Sequence, residues 1–411
     1  MSRERTKNRI EFTKTALVCS GGATKAAAFH IGVCLALRDK GFSFVGGKSE
    51  NPTEINSIPY PRPKYHPQQI ATYVGSSAGS LVTTLLASGI PVESLINSFT
   101  SDINFRIPGD FQEIPKIQYR DMLKINWPKP SAILRSFRQS PVFGRTLESF
   151  VLKNLRLPGL FSTAGIAKYL QEHVLPTPHF HELKPDLFVV GTQLDHSRKI
   201  IFGRYSTEKA YDEYSQYASN ATVYDAVAAS LSLPPIFAPY KVKHGPDKTR
   251  YYIDGEIRET LSTHVAKENG CDLLICSYTH QPYHYRDEIG SLVHYGMPAI
   301  IIQALYQAIE QKVYAAKRAH ENKTIVLETV RDFFKNKKYP DEDLAELTRL
   351  LADKTDFNEK LNYIFIHPEA KDKQMFFGDH FTLNSTTLQE VVTIGYKRAM
   401  AELRKYDLHP V

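Results

Sequence analysis

The 411-residue sequence has no apolar run of the length a membrane-spanning helix requires, which excludes that class of integral membrane protein as an expectation. Its opening residues, Met1-Ser-Arg-Glu-Arg-Thr-Lys-Asn-Arg9, are charged and lack the apolar core of a secretory leader. Cysteine is scarce. Cys19, Cys34, Cys271 and Cys276 are the only four, and their spacing matches no zinc site. So few thiols, each within a stretch that reads as strand or helix, are expected to be buried and reduced. There is no internal repeat and no low-complexity linker. Neither sign of charge dominates: 51 Lys and Arg against 44 Asp and Glu leave +7, with basic residues scattered among acidic ones. This pattern carries no nucleic-acid-binding signature, although a modest positive balance favours anionic surfaces. These absences lead us to expect a cytoplasmic or peripherally membrane-associated protein.

The length allows a large core. Residues 15–19 and 70–74 read as strands, with a helix over 26–39 between them. That order implies a parallel sheet with right-handed crossovers. Further strands are expected at 187–190, 199–202, 251–253, 272–277 and 363–366, and helices at 223–230, 261–269, 298–320 and 386–404. The pattern is α/β, expected as one domain over 1–411 with its core at about 15–300 and 361–405. Residues 101–165 read as a cap or interface region, and 303–360 as a helical insertion.

Three motifs carry chemistry. The first is Thr72-Tyr-Val-Gly-Ser-Ser-Ala-Gly-Ser80, an apolar strand running into Gly75-x-Ser77-x-Gly79 and then a helix. This is the sequence of a nucleophile elbow, in which a sharp turn exposes one serine oxygen at a helix N-terminus. An ordinary glycine-serine turn has the same letters. The second is Ser20-Gly21-Gly22-Ala23-Thr24-Lys25-Ala26, where small residues let backbone N–H groups face an anion at a helix start. A nucleotide P-loop is excluded because no Gly-Lys-Ser/Thr follows, and adjacent glycines do not fit a dinucleotide fingerprint. The third is Tyr251-Tyr-Ile-Asp254-Gly255-Glu256, an aspartate leaving a strand at what reads equally well as a common turn dipeptide.

Together and in this order, the three motifs resemble the patatin-like phospholipase family, over about Thr15 to Arg404. Ala228-Ala-Ser-Leu-Ser-Leu-Pro-Pro-Ile-Phe-Ala-Pro239 and Ile394-Gly-Tyr396 are similar to two further stretches of that family. The resemblance implies a three-layer α/β sandwich around a mostly parallel sheet and a lipid acyl hydrolase of phospholipase A or lysophospholipase type. It implies that Ser77 is the nucleophile and Asp254 its general base, a dyad without histidine. Gly21, Gly22, Ala23 and Lys25, with Ala78 from the elbow, would form the oxyanion loop, and Gly75, Gly79 and Gly255 are motif glycines. No cofactor or metal is implied. The substrate would be a phospholipid or other acyl-ester lipid, and neither a protein partner nor nucleic acid is implied.

Two alternatives stay open. An acyl-serine can pass its acyl group to an acceptor, as in an acyltransferase. An α/β-hydrolase triad would instead recruit one of the histidines after Asp254: His264, His280, His284, His294, His367 or His380. The sequence also departs from the family pattern. Ala23 and Ala26 stand where the loop usually has glycine, which keeps the N–H donors but disfavours positive φ. Glu256 follows Gly255 where glycine or alanine is usual, and is expected to point to solvent. Finally, Phe105-Arg106, Trp127-Pro-Lys129, Arg135-Ser-Phe-Arg138 and Phe143-Gly-Arg145 interleave rings with cations. They are expected either to dock at an anionic lipid interface or to form a cap with solvated arginines.

Overall fold

A computed structural model describes residues 8–50, 63–99, 107, 109–125, 159–204, 215–243, 249–279, 282–285, 287, 290–355, 361–369, 372–376 and 381–411. Nine strands form the main sheet: β1 (Thr15–Cys19), β2 (Thr72–Ser76), β3 (Asp186–Gln193), β4 (Arg198–Phe202), β5 (Ser215–Ala218), β6 (Tyr240–Lys243), β7 (Thr249–Asp254), β8 (Leu273–Ser277) and β9 (Asn362–Ile366). The helices used below are α1 (Ala23–Asp39), α2 (Ala78–Ala87), α3 (Val223–Ser230), α4 (Thr263–Glu268), α5 (Gly296–Lys337), α6 (Asp341–Thr355) and α7 (Ser385–Leu403).

The strand order is β5-β4-β3-β2-β1-β8-β9, and β6 with β7 joins at the far end of β3. The ladders β3-β2, β2-β1, β1-β8 and β8-β9 are all parallel. They bury both faces of the sheet, as the uninterrupted apolar strands require. Alternation along each strand then divides the core in two. Leu17, Cys19, Tyr73, Leu187 and Ile275 pack on the side of α1, α2 and α7. Ala16, Val18, Val74, Phe188 and Cys276 pack on the other side, with Val265 and Ala266 of α4 and Val313 of α5. The result is the expected sandwich of helices about a mostly parallel sheet. All four cysteines are buried and free.

On the first face α1 and α7 approach so closely that only glycine fits at their crossing. A Cβ on Gly32 would stand 2.0 Å from the Val392 carbonyl oxygen, and one on Gly395 would stand 2.2 Å from that of Phe29. This gives the Gly395-Tyr396 pair its physical reason. Two differences from the sequence reading bear on the site. The elbow strand runs to Ser76, two residues beyond the expected end. The helix expected from 26 begins at Ala23, inside the glycine-rich loop. Among the described residues, no helix is long and apolar enough to cross a membrane.

Candidate active site

Sheet register brings the elbow and the aspartate together. At the end of β2, Ser76 pairs with Val190 of β3, running parallel. The next residue of β3, Gly191, pairs with Asp254 of β7, running antiparallel. Both partners lie on the same edge of β3, because its other edge holds β4. Strands β2 and β7 therefore meet end to end, and the chain turns out of the sheet at Ser77 on one side and at Gly255 on the other. Gly255 must be glycine here. A Cβ would lie 2.3 Å from the Val190 carbonyl oxygen and 2.6 Å from Ser76 Oγ.

Ser77 occupies the corner between β2 and α2 with φ 49° and ψ −126°, a conformation strained for any residue but glycine. Hydrogen bonds hold it there. The Ser77 N–H donates to Ser230 Oγ at 2.8 Å, and the Ser230 hydroxyl donates to the Val190 carbonyl at 2.6 Å. The Ser77 carbonyl accepts from the Ser80 N–H at 2.9 Å and the Ser80 hydroxyl at 2.6 Å. The flanking glycines clear the approach: a Cβ on Gly75 would meet Thr83 Oγ1 at 2.3 Å, and one on Gly79 the Cys19 carbonyl oxygen at 2.3 Å.

Asp254 is buried, and its backbone N–H donates to the Ser232 carbonyl at 3.0 Å. Burial lifts its carboxyl pKa to about 7, against the opposing pull of hydrogen bonds from the Ser77 hydroxyl and the Glu256 N–H. The Glu256 N–H reaches Asp254 Oδ1 at 2.9 Å. Ser77 thus stands beside a buried carboxyl that burial makes more basic than an ordinary aspartate. That arrangement suits transfer of the hydroxyl proton.

The glycine-rich loop closes over this pair. A Cβ built on Gly21 would lie 2.6 Å from Ser77 Cβ and 3.1 Å from Ser77 Oγ. Gly22 has φ 129°, and Ala23 adopts φ 59° despite its side chain, which corrects the expectation that alanine gives up the left-handed conformation. The N–H groups of Gly22, Ala23 and Ala78 open helices α1 and α2 and have no acceptor among the described residues. Lys25 is buried in the first turn of α1. The loop is anchored from behind by His30, whose Nε2 donates to the Ser20 carbonyl at 2.9 Å while Nδ1 accepts from Ser277 Oγ at 2.6 Å. Burial pushes its pKa down to about 4, so this histidine is a neutral structural group.

Glu256 is the clearest departure from expectation. It does not point to solvent: it is 2 % exposed, and its Oε1 accepts the Gly21 N–H at 2.9 Å. Burial, and then the neighbouring Asp254, raise its pKa to about 8. Long helix α5 also reaches this corner. Tyr306 lies within electrostatic reach of both carboxyls, and Lys312 Nζ donates to the Ile257 carbonyl at 2.7 Å. Ser230 stands in a quoted motif, but Tyr306 carries no signal in the sequence.

A family model described as patatin-like phospholipase matches residues 17–267. The chain belongs to the patatin-like phospholipase family. The matched span starts in β1, ends in α4, and holds the glycine loop, the Ser77 elbow and Asp254. Family membership carries lipid-hydrolase activity of the general patatin kind. Among solved structures, the chain is similar to VipD from Legionella pneumophila, at 15% identity, covering 99% of this chain and 72% of that one with a TM-score of 0.39. It is also similar to a chain of the SpcU–ExoU complex from the type III secretion system of Pseudomonas aeruginosa, at 16% identity, covering 74% of this chain and 52% of that one with a TM-score of 0.22. No curated protein sequence matches.

In this patatin-like chain two of the candidate histidines after Asp254, His264 and His367, have other partners. His264 Nδ1 pairs with Glu259 at 3.0 Å, with Lys199 on the far side of its ring. His367 stacks on Tyr278. His280 and His380 lie outside the described residues, as do Phe105-Arg106, Trp127-Pro-Lys129, Arg135-Ser-Phe-Arg138 and Phe143-Gly-Arg145.

Proposed function

We propose that the chain cleaves fatty acyl esters of phospholipids or lysophospholipids through an acyl-serine formed on Ser77, with Asp254 as the only proton acceptor. The observation that carries this reading is the sheet register, which sets the Ser77 elbow beside a buried Asp254 where β2 and β7 meet on β3; burial lifts that carboxyl's pKa to about 7. A serine hydroxyl is a poor nucleophile until a base takes its proton. A carboxylate near 7 is a far better base than one near 4, and it is still ionised in half or more of the molecules at neutral pH.

Attack of Ser77 Oγ on the ester carbonyl develops a negative oxygen. The Gly22 and Ala23 amides, joined by Ala78 at the start of α2, are the donors suited to receive it. Each such donor is typically worth about 3 kcal/mol in the transition state. Protonated Asp254 returns its proton to the leaving alcohol. Water then enters, gives its proton to Asp254 and attacks the acyl carbon. Collapse of the second oxyanion releases the fatty acid, and the proton goes back to Ser77.

The test is labelling by a fluorophosphonate probe together with hydrolysis of phosphatidylcholine and lysophosphatidylcholine vesicles. Native protein should label and hydrolyse. Ser77→Ala should do neither, and Asp254→Asn should lose at least a thousandfold in rate. A His264→Ala or His367→Ala variant as inactive as Ser77→Ala would overturn the dyad in favour of a triad. Acyl products that appear only when an alcohol acceptor is added would assign transfer in place of hydrolysis.

A further inference from the structure

One buried side chain in the site has no part in the proton transfers above. Glu256 is 2 % exposed, and nothing in those steps requires a carboxyl there. Burying a carboxyl is unfavourable unless its oxygens find donors. The donor that Glu256 Oε1 has found is the N–H of Gly21, 2.9 Å away and 235 residues earlier in the chain. The backbone N–H of the same Glu256 donates to Asp254 Oδ1 at 2.9 Å. A single residue therefore spans the aspartate turn and the glycine loop.

The opposite end of the Gly21 unit is also held. Its carbonyl accepts from Thr279 Oγ1 at 2.9 Å, and a Cβ on Gly22 would stand only 2.3 Å from that same Thr279 oxygen. Gly21 itself has no room to shift toward the dyad, because Ser77 Cβ and Glu256 Cγ already lie within 2.6 and 2.9 Å of where its Cβ would be. Gly21 is thus clamped by a side chain at its N–H and another at its carbonyl. The next two amides have no acceptor among the described residues, and they pass through φ 129° at Gly22 and φ 59° at Ala23. Alanine resists that conformation, so a free loop would relax away from it.

We infer that Glu256 is a positioning residue that holds the Gly21 peptide against Ser77 and thereby keeps the Gly22 and Ala23 N–H groups aimed at the developing oxyanion. This rests on the acyl-serine reading above. The inference is about the carboxyl oxygen as an acceptor: a glutamine at 256 keeps that acceptor, and an alanine removes it. The titratable groups set against Glu256 among the described residues are Asp254 on its own turn and Tyr306 from α5. Ionisation of Glu256 beside a nascent oxyanion opposes its formation, whereas a neutral acid or amide does not.

The experiment compares the native 411-residue chain with Ser77→Ala, Glu256→Gln and Glu256→Ala on a soluble p-nitrophenyl acyl ester across pH 5.5 to 9.5. Glu256→Ala should lose at least tenfold in kcat with KM changed less than twofold. Glu256→Gln should recover to within threefold of native, without the alkaline decline expected of the native enzyme as Glu256 ionises. Equal kcat for native and Glu256→Ala would overturn the inference, as would a Glu256→Gln variant no better than Glu256→Ala. If Glu256→Ala fails to fold, a loss of tenfold or more in the kcat of Glu256→Gln, which keeps the acceptor oxygen, overturns it alone. Hydrolysis surviving in Ser77→Ala would instead bring down the acyl-serine reading, and this inference with it. A dead Ser77→Ala beside a fully active Glu256→Ala sinks only the inference.

Discussion

Ser230 accepts the backbone N–H of Ser77 at 2.8 Å and donates its own proton to the Val190 carbonyl at 2.6 Å. The strained elbow is thus tied through one hydroxyl to the central strand that also carries Asp254 in its ladder. The bond consumes an amide that would otherwise be buried without a partner, and it fixes the direction in which the Ser77 side chain leaves the backbone.

Ser230→Ala leaves that amide unsatisfied and the elbow less constrained. We expect a fold that survives, with a loss of about 1–3 kcal/mol in stability. The accompanying fall in kcat should be at least tenfold and larger than any change in KM. Thermal unfolding and steady-state hydrolysis on the same preparation check both numbers, and native kcat in Ser230→Ala would remove Ser230 from the support of the elbow.

The pH dependence of the reaction follows from Asp254. A base must be ionised to act, and burial raises this carboxyl to about 7. Below that point kcat/KM should fall tenfold per unit of pH, with the midpoint near 7 and not in the usual carboxylate range near 4. A midpoint near 4 in a pH–rate profile would contradict a buried base.

Stability should run the other way from ordinary acid unfolding. The folded pKa values of Asp254 and Glu256, about 7 and about 8, both lie above their unfolded values near 4. The folded state therefore binds more protons than the unfolded state between those limits. Their contribution is full below about pH 4 and is lost as pH rises through 7 to 8. Asp254→Asn and Glu256→Gln stay neutral, so each should stabilise the protein at pH 8.5 by on the order of 2 kcal/mol and much less at pH 5. Denaturant titrations at the two pH values measure the difference.

The crossing of α1 and α7 gives a prediction remote from the chemistry. A side chain at Gly395 would enter the 2.2 Å gap to the Phe29 carbonyl. Gly395→Leu should cost upwards of ~3 kcal/mol or abolish soluble expression. Gly270→Ala is the contrasting control: there is open space around a Cβ, so only the φ of 77° resists it, and a loss of about 1 kcal/mol is expected.

Seven of the nine strands of the sheet were legible, because strands buried on both faces demand short apolar runs, and β1, α3 and β9 fall within a residue or so of the reading; β5 and β6, at the margins of the sheet and more polar, were not. The Ser77, Asp254 and glycine-loop motifs were legible as an ordered set: each alone reads as an ordinary turn, and it is the three together, in that order, that resemble the family. Ser230, Thr279, Glu256 and Tyr306 were not read as parts of the site. Ser230 meets Ser77 across 153 residues, Glu256 meets Gly21 across 235, and Thr279 meets Gly21 across 258. No periodicity or spacing encodes such a contact, and the letter Glu after Asp-Gly is as compatible with an exposed turn as with a clamp.

The sequence by itself determined the α/β pattern and the order of the motifs, because local hydrophobic pattern and turn chemistry are properties of neighbouring residues, and through the resemblance of those motifs it pointed to the family and its layering. The tertiary structure alone decided that β2 and β7 meet end to end on β3, so that Ser77 and Asp254 come together. It also decided that Glu256 turns inward onto Gly21, and that α5 delivers Tyr306 to the same corner. The reason is physical. A hydrogen bond, and a carboxyl's pKa, depend on which groups share a desolvated volume, and that is settled only when the sheet has placed its strands side by side.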